Sequence, residues 1–326
     1  MRALTLAHTG EPEQMSITEI PTPEPGPGQL RLSVTACGLN PTDYQRARHG
    51  VPDWQWPAVL GLDPAGVVDA VGEGVEGFAV GDRVVAVGDI RERGGFAEHT
   101  VVDVDAAARI PDEVSDVAAA AIPSGGLTAW DAVVEKLRVG PEDLVVITGA
   151  SGGVGGIGVQ LAHAAGAEVI AVASERHRER CLDLGADRVV DYRGQDVPAA
   201  VREIAGEDGV DAVLDVVGEQ SATALLGTLG FGGRIATTAG RPDLTAIDPF
   251  TLGPSVHEIT LGFAYLYGAR ADIRRMGRML TRLLARVADG TLDPMVGRTV
   301  GLAEVPETLG ALSRGELTGK AVYAAG

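Results

Sequence analysis

LVVITGASGGVGGIGVQLAHAAGAEVIAVASER, residues 144–176, is the stretch from which the rest of the chain can be read. Leu144 to Ile147 is a short apolar run of β type, and Val169 to Ala173 is a second. Between them lie Gly149, Gly152, Gly153, Gly155, Gly156 and Gly158, and Val154, Ile157, Leu161 and Ala165 recur on one helical face. Strand, glycine-rich turn, helix and strand make a βαβ unit. Gly153, Gly155 and Gly158 satisfy G-x-G-x-x-G, and a shifted reading puts Ala150, Gly152 and Gly155 in the same slots. Such a pattern is weak alone; behind a strand and opening a helix, it points to a dinucleotide. Glycines let the backbone approach a pyrophosphate, and the free N–H groups of Ser151, Gly152, Gly153, Val154 and Gly155 are the candidates to hold it.

The surroundings fit a two-domain globular chain. There are 326 residues, 45% hydrophobic and 22% charged, enough for two domains with sizeable cores. The net charge of −18 argues against nucleic acid or an anionic membrane surface as partner. Cys37 and Cys181 are the only cysteines, too few for a disulfide framework or a cysteine-rich metal site. Residues 1–20 lack the apolar core of a signal peptide, and no 18-residue charge-free apolar run is present. The expectation is a cytoplasmic protein without a membrane span.

Residues 1–110 read as short strands separated by glycine-rich turns, the pattern of a small barrel or sandwich. Asn40 and Pro41 have the types favoured at the cap and first position of a helix over Pro41–Arg48. From Leu144 the rhythm alternates, with strands near 144–147, 168–173, 188–190, 211–214, 233–236 and 257–263 and helices between them. That predicts a doubly wound parallel sheet. A long helix over 270–289, a helix near 303–313 and a closing strand at Ala321–Tyr323 follow.

The motifs GLNPTDY (38–44), VLGLDPAGV (59–67), AVGDRVVAV (79–87), GGFAEHTVVD (94–103), IPSGGLTAWD (122–131), TGASGGVGG (148–156), LGADRVVDYRG (184–194), VDAVLDVVGE (210–219) and TGKAVY (318–323) occur in this order. Together they resemble the medium-chain dehydrogenase/reductase superfamily, in its zinc-free quinone oxidoreductase (ζ-crystallin-like) branch. The resemblance implies an α/β fold: a GroES-like β-barrel catalytic domain over 1–120, completed by 293–326, and a Rossmann domain over 121–292. It also implies a homodimer, joined through the apolar edge strand Glu258–Tyr265. Where zinc-dependent relatives carry Cys, His and Cys, this chain has Asn40, Leu62 and Ser124. Leu has no donor atom, and Asn and Ser lack the thiolate or imidazole that zinc prefers. The loop GDIRERGG (88–95), where the family's structural zinc would sit, has no cysteine. The expectation is no metal, and hydride transfer from NADP(H) to an acceptor already activated by conjugation, a quinone or an α,β-unsaturated carbonyl.

The resemblance also places the cofactor's other contacts. The ribose position that holds an acid in NAD enzymes is Ala173 here, followed by Ser174 and the basic run Arg176, His177, Arg178. Arginine suits a 2′-phosphate, and Tyr192 resembles a residue beside it. Glu175 is the counter-signal, standing where the general fingerprint puts its acid. Thr128, Val217, Gly218, Ala239, Gly240, Phe263, Ala264, Tyr265 and Lys320 resemble residues lining the nicotinamide end. Thr128 has the alternative of a helix-face threonine bonding its own i−4 carbonyl, and Lys320 that of a solvated strand-end lysine. Asn40, Asp43 and Tyr44 flank the former metal position. Asn40 is open to two readings, donor to the acceptor's oxygen or helix cap. Tyr44 is open to proton supply or simple packing.

Overall fold

The computed structural model describes residues 1–52 and 54–326. The chain forms two compact units, Met1–Leu127 with Leu261–Gly326, and Thr128–Thr260.

In the second unit six parallel strands lie side by side in the order Arg188–Asp191, Glu168–Ala173, Leu144–Thr148, Val210–Asp215, Leu229–Thr237 and Ser255–Glu258. Numbered along the chain this is 3-2-1-4-5-6, the doubly wound order. Val146, Ile170, Val172, Val213 and Ile235 on these strands bury against Val201, Ala222, Leu225 and Leu226 of the covering helices. The order reverses between Leu144–Thr148 and Val210–Asp215, so the loops leaving them diverge and open a crevice at their carboxyl ends.

In the first unit the long strand Gln29–Gly38 is the centre of a seven-stranded sheet. Its alternate residues Leu30, Leu32, Val34 and Ala36 are buried, as a half-covered strand requires. Asp63–Val71 pairs along its length, and Lys320–Ala324 returns to pair antiparallel, with Val322 opposite Gly38 and Tyr323 opposite Cys37. The tail thus rejoins strands laid down by the first third of the chain. Leu4, Leu6, Leu39, Leu60, Phe96, Leu309 and Tyr323 share one core cluster. This is the expected architecture, one GroES-like unit and one unit built on a Rossmann-type sheet. Among the described residues, no helix is long and apolar enough to cross a membrane.

Three details differ from the sequence reading. The compact units divide at 127/128 and 260/261, not at 120/121 and 292/293. The reason is visible in helix Arg270–Ala288, which packs on the first unit: a Cβ at Gly277 would lie 2.4 Å from the Asp105 carbonyl oxygen. Arg270 also pairs with Asp103 and, at 2.7 Å, with Asp105. The last strand ends at Glu258, and Leu261–Phe263 and Ala264–Tyr267 are helical turns rather than an extended edge. A short apolar run has no periodicity to separate the two, and Tyr265 is committed by its hydroxyl, which donates to the Val87 carbonyl at 2.9 Å. Strand Val296–Val300, parallel to Lys320–Ala324, was not foreseen; it is mostly exposed and lacks the apolar alternation that announces a strand.

The close approach at Gly277 is testable. Gly277→Val should lower the urea midpoint by about 1–3 kcal/mol of stability through overpacking, and an unchanged midpoint would show that this helix is not clamped there.

Candidate active site

The glycine-rich turn is built by sterics. Gly149 takes φ +58°, and Gly152 donates to the Gly149 carbonyl at 2.9 Å before capping helix Gly153–Ala164. A Cβ at Gly155 would lie 2.3 Å from the Gly149 oxygen, and one at Gly158 would lie 2.9 Å from Leu214. The first position folds the turn tightly; the later two bring helix, turn and sheet closer than any side chain allows. No side chain caps this helix, and Ser151, Gly152, Gly153 and Val154 are half-buried beside its open end. The N–H groups of a helix's first turn have no intrahelical partner, and next to backbone stripped of Cβ atoms they fit a pyrophosphate, although the N–H of Gly152 itself is committed to Gly149.

The crevice is organised by a residue that the sequence reading passed over. Asp215 is fully buried at the end of its strand. Its carboxylate accepts from Thr148 Oγ1 at 3.0 Å, Ser221 Oγ at 2.5 Å, and the N–H groups of Val217 and Gly218 at 3.0 and 2.9 Å. It ties the glycine-turn strand to the 216–218 loop. Gly240 packs on the same place, since a Cβ there would lie 2.7 Å from the Glu219 nitrogen. Val217, Gly218, Ala239 and Gly240 are therefore gathered together, and Val217 is exposed. The only sequence signal was an Asp ending an apolar strand.

At the end of strand Glu168–Ala173 the charges sort themselves. Ser174 is buried. Glu175 is held by Arg178 through two hydrogen bonds, 2.6 and 2.8 Å. Arg176 Nε donates to His177 Nε2 at 2.9 Å. Arg193, not singled out in the sequence, donates to the Tyr192 hydroxyl at 3.3 Å and lies 5.6 Å from that ring's centre. Burial and then Arg176, Arg180 and Arg193 push the His177 imidazole below its ordinary range. Arg176, His177, Arg180 and Arg193 are thus one electropositive group, while Arg178 is turned to Glu175. The DYRG motif carried the signal for Arg193, one residue after Tyr192.

In the first unit, Asn40 and Ser124, which the resemblance matches to metal ligands, belong to a buried polar network. Asp63, fully buried, accepts from Asn40 Nδ2 at 2.8 Å, Ser124 Oγ at 2.5 Å and Ser124 N at 3.1 Å. Lys320, 5% exposed, lies 3.7 Å from Asp63 and donates to Asn40 Oδ1 and, at 3.1 Å, to the Leu39 carbonyl. Burial raises the Asp63 carboxyl above its ordinary range, against the pull of Lys320 and the Ser124 and Asn40 hydrogen bonds. Lys320 is therefore not a solvated strand-end lysine. Both ends of the Asn40 carboxamide are committed, so it holds the network rather than offering a donor. These residues do not fit zinc: Leu62 has no donor atom, the other two positions are used, and an ammonium already stands beside the carboxylate. Among the described residues no group of three or more His, Cys, Asp or Glu is placed to hold an ion.

Asp43 sits behind this network, accepting from the N–H of Asn40 at 2.9 Å and of Gly61 at 3.1 Å. Tyr44 stands apart, its ring 5.2 Å from the Arg48 guanidinium. Thr128 is half-buried on helix Pro123–Trp130. Phe263 stacks on exposed Tyr267 with ring centres 6.1 Å apart, and Ala264 opens the short helix between them. Tyr265 and Leu62 line a polar cavity of about 230 Å³ with Gly88, Asp89, Arg93 and Asp103.

Burial pushes the Asp43 carboxyl from 3.8 up to about 6. Between these values the folded chain holds a proton that the unfolded chain has lost, so this group's contribution falls as pH rises through the window and is flat above it. Relative to Asp43→Asn, the native protein should lose about 3 kcal/mol between pH 4 and 6.5. Parallel pH profiles of the two urea midpoints would contradict this.

Family models place these units among known proteins. Residues 26–112 match the model described as alcohol dehydrogenase GroES-like domain, and residues 153–282 the model described as zinc-binding dehydrogenase. Trans-enoyl reductase tndF of Aspergillus flavipes is 36% identical over 215 residues, 61% of this chain and 62% of that one. A crystal structure of an NAD-dependent alcohol dehydrogenase is 33% identical with TM-score 0.87, covering 100% of both chains. A quinone oxidoreductase of Pseudomonas syringae is 26% identical with TM-score 0.88, covering 99% of both. The chain spans less than two thirds of the curated relatives it first matches, down to 5% of a polyketide synthase. Domain pair, strand order and the glycine turn agree with these likenesses, and the chain belongs to the medium-chain dehydrogenase/reductase superfamily.

Proposed function

We propose that this protein is an NADPH-dependent, metal-free reductase of conjugated acceptors, a quinone or an α,β-unsaturated carbonyl. The observation that carries the reading is the network of Asn40, Asp63, Ser124 and Lys320 in place of zinc ligands. An alcohol must lose a proton before it gives up hydride, and a Lewis acid is the usual aid. A conjugated acceptor needs no such aid, because its π system takes the charge. The family resemblance, the likeness to an enoyl reductase and the likeness to a quinone oxidoreductase support the same class.

NADP(H), when bound, supplies the hydride. The chain's own part is to hold and orient. The N–H groups at the start of helix Gly153–Ala164 receive the pyrophosphate. Arg176 and Arg193, the latter bonded to the Tyr192 hydroxyl, receive the 2′-phosphate, for which arginine is the natural partner. Glu175, the residue that would favour a free 2′-hydroxyl, is occupied by Arg178. Thr128, Val217, Gly218, Ala239 and Gly240 line the nicotinamide end, and a second copy of the chain joins at the sheet edge Ser255–Glu258. The alcohol dehydrogenase likeness supplies a second reading, alcohol oxidation with NADP+.

Two measurements test this. NADPH oxidation with 1,4-naphthoquinone, a short enone and an enoyl thioester should proceed at a rate unaffected by chelators. Alcohol-dependent NADP+ reduction without turnover of any of these acceptors would replace this reading with the second. Arg193→Glu and Arg176→Glu should each weaken NADPH at least tenfold while changing NADH less than about threefold, as expected for loss of a charge-assisted bond. Equal effects on the two nucleotides would remove the 2′-phosphate assignment.

A further inference from the structure

The two central strands of the second unit, Leu144–Thr148 and Val210–Asp215, each end in a buried polar side chain. The Thr148 hydroxyl is used twice: it donates to Asp215 Oδ2 at 3.0 Å and accepts the N–H of Val216 at 3.0 Å. The Asp215 carboxylate is divided between two tasks. Oδ2 takes the hydroxyls of Thr148 and Ser221, while Oδ1 takes the N–H groups of Val217 and Gly218. The consecutive N–H groups of Val216, Val217 and Gly218 are therefore all held by side chains, and one of those side chains belongs to the neighbouring strand. A loop's N–H groups otherwise find their partners in water or within the loop.

Packing repeats what the hydrogen bonds do. Gly149 opens the glycine turn, and a Cβ on it would lie 2.6 Å from Val216 Cγ2. On the other side the Thr238 N–H donates to the Asp215 carbonyl at 3.0 Å, and the Gly218 carbonyl accepts from Ala222 at 2.9 Å where helix Glu219–Leu226 begins. The 216–218 loop is thus fixed to the glycine turn and to the next strand end at once. It stands where the strand order reverses, the place where such sheets bind ligands. Within it the apolar Val217 side chain is 61% exposed. A backbone held at three successive N–H groups keeps an apolar residue in the open instead of letting it fold inward.

We infer that Thr148 and Asp215 are positioning residues for the nicotinamide half of the cofactor, locking the 216–218 loop at a set distance from the glycine turn. This rests on the proposed function above, in which the turn receives the pyrophosphate and Val217 and Gly218 line the nicotinamide end. Pyrophosphate and nicotinamide are parts of one molecule, so the two loops must stand at the spacing that molecule has. A loop already held there contributes its contacts in full, whereas a loose one has to be ordered on binding and returns part of them as lost entropy. Loosening the lock should therefore fall on the nicotinamide end. The turn keeps its own support, the Gly152 N–H on the Gly149 carbonyl and the close contact at Gly155.

The test uses binding, not turnover. Thr148→Val removes both bonds of the hydroxyl at nearly unchanged shape, and Thr148→Ser restores the hydroxyl. Ser221→Ala removes one donor from Asp215 at a half-buried position and serves if Thr148→Val does not fold. Calorimetry compares NADPH and NADH with 2′-phospho-ADP-ribose and ADP-ribose, the same molecules without the nicotinamide. In Thr148→Val the preferred nucleotide should weaken about tenfold and its nicotinamide-free counterpart less than about threefold. The fluorescence anisotropy of the bound reduced nicotinamide should fall as well. Thr148→Ser should return both readouts to near native, and Ser221→Ala should show the same contrast at smaller size. A merely structural tie would lower the urea midpoint and weaken both members of each pair alike, or neither; either result, with unchanged anisotropy, overturns the positioning role and leaves the cofactor reading intact. Failure of the native chain to bind any of the four ligands removes the cofactor reading itself, and the positioning role with it.

Discussion

A carboxylate with no access to water must be surrounded by donors, and Asp63 shows how much of the first unit follows from that. Its oxygens are reached from Asn40, at the start of one helix, and from Ser124, at the start of another. Lys320 approaches from a strand almost 260 residues further along the chain. Removing any one donor would leave charge stranded in a medium that solvates it poorly, which typically costs several kcal/mol. The C-terminal strand is held in the barrel by pairing with Gln29–Gly38 and also by this electrostatic demand. The same network takes up Asn40 and Ser124, the two polar residues that the resemblance matches to metal ligands, and ties them to a buried carboxylate and ammonium.

The second unit repeats the principle with Asp215. A buried acid gathers hydroxyls and backbone N–H groups from adjacent strand ends and so rigidifies the loops around the crevice. Both acids are fully buried. Their task is to fix the backbone from which the binding groups project.

Much of this was legible beforehand. Periodicity marked the alternating strands and helices, because each must bury one face. The glycine positions of the turn were legible because only glycine permits φ near +60° and backbone contacts of the kind seen at Gly155. The absence of zinc donors at Asn40, Leu62 and Ser124 was a matter of residue type. The apolar run after Glu258 was not legible, since a run without periodicity can extend or coil, and a distant carbonyl, that of Val87, settled where Tyr265 went.

Local covalent facts are what the chain alone determined: which positions lack a Cβ, which lack a metal donor, which carry charge, and where polarity alternates. Those depend on residue identity and nearest neighbours. Partnership was decided only by the tertiary fold. Glu175 and Arg178, or Lys320 and Asp63, are merely charged letters until folding sets the distance between them, and Coulomb and hydrogen-bond energies depend on that distance. For the same reason Arg193 joined the basic group and Asn40 left the list of free donors: what a polar side chain can offer a ligand is what its neighbours have not already taken.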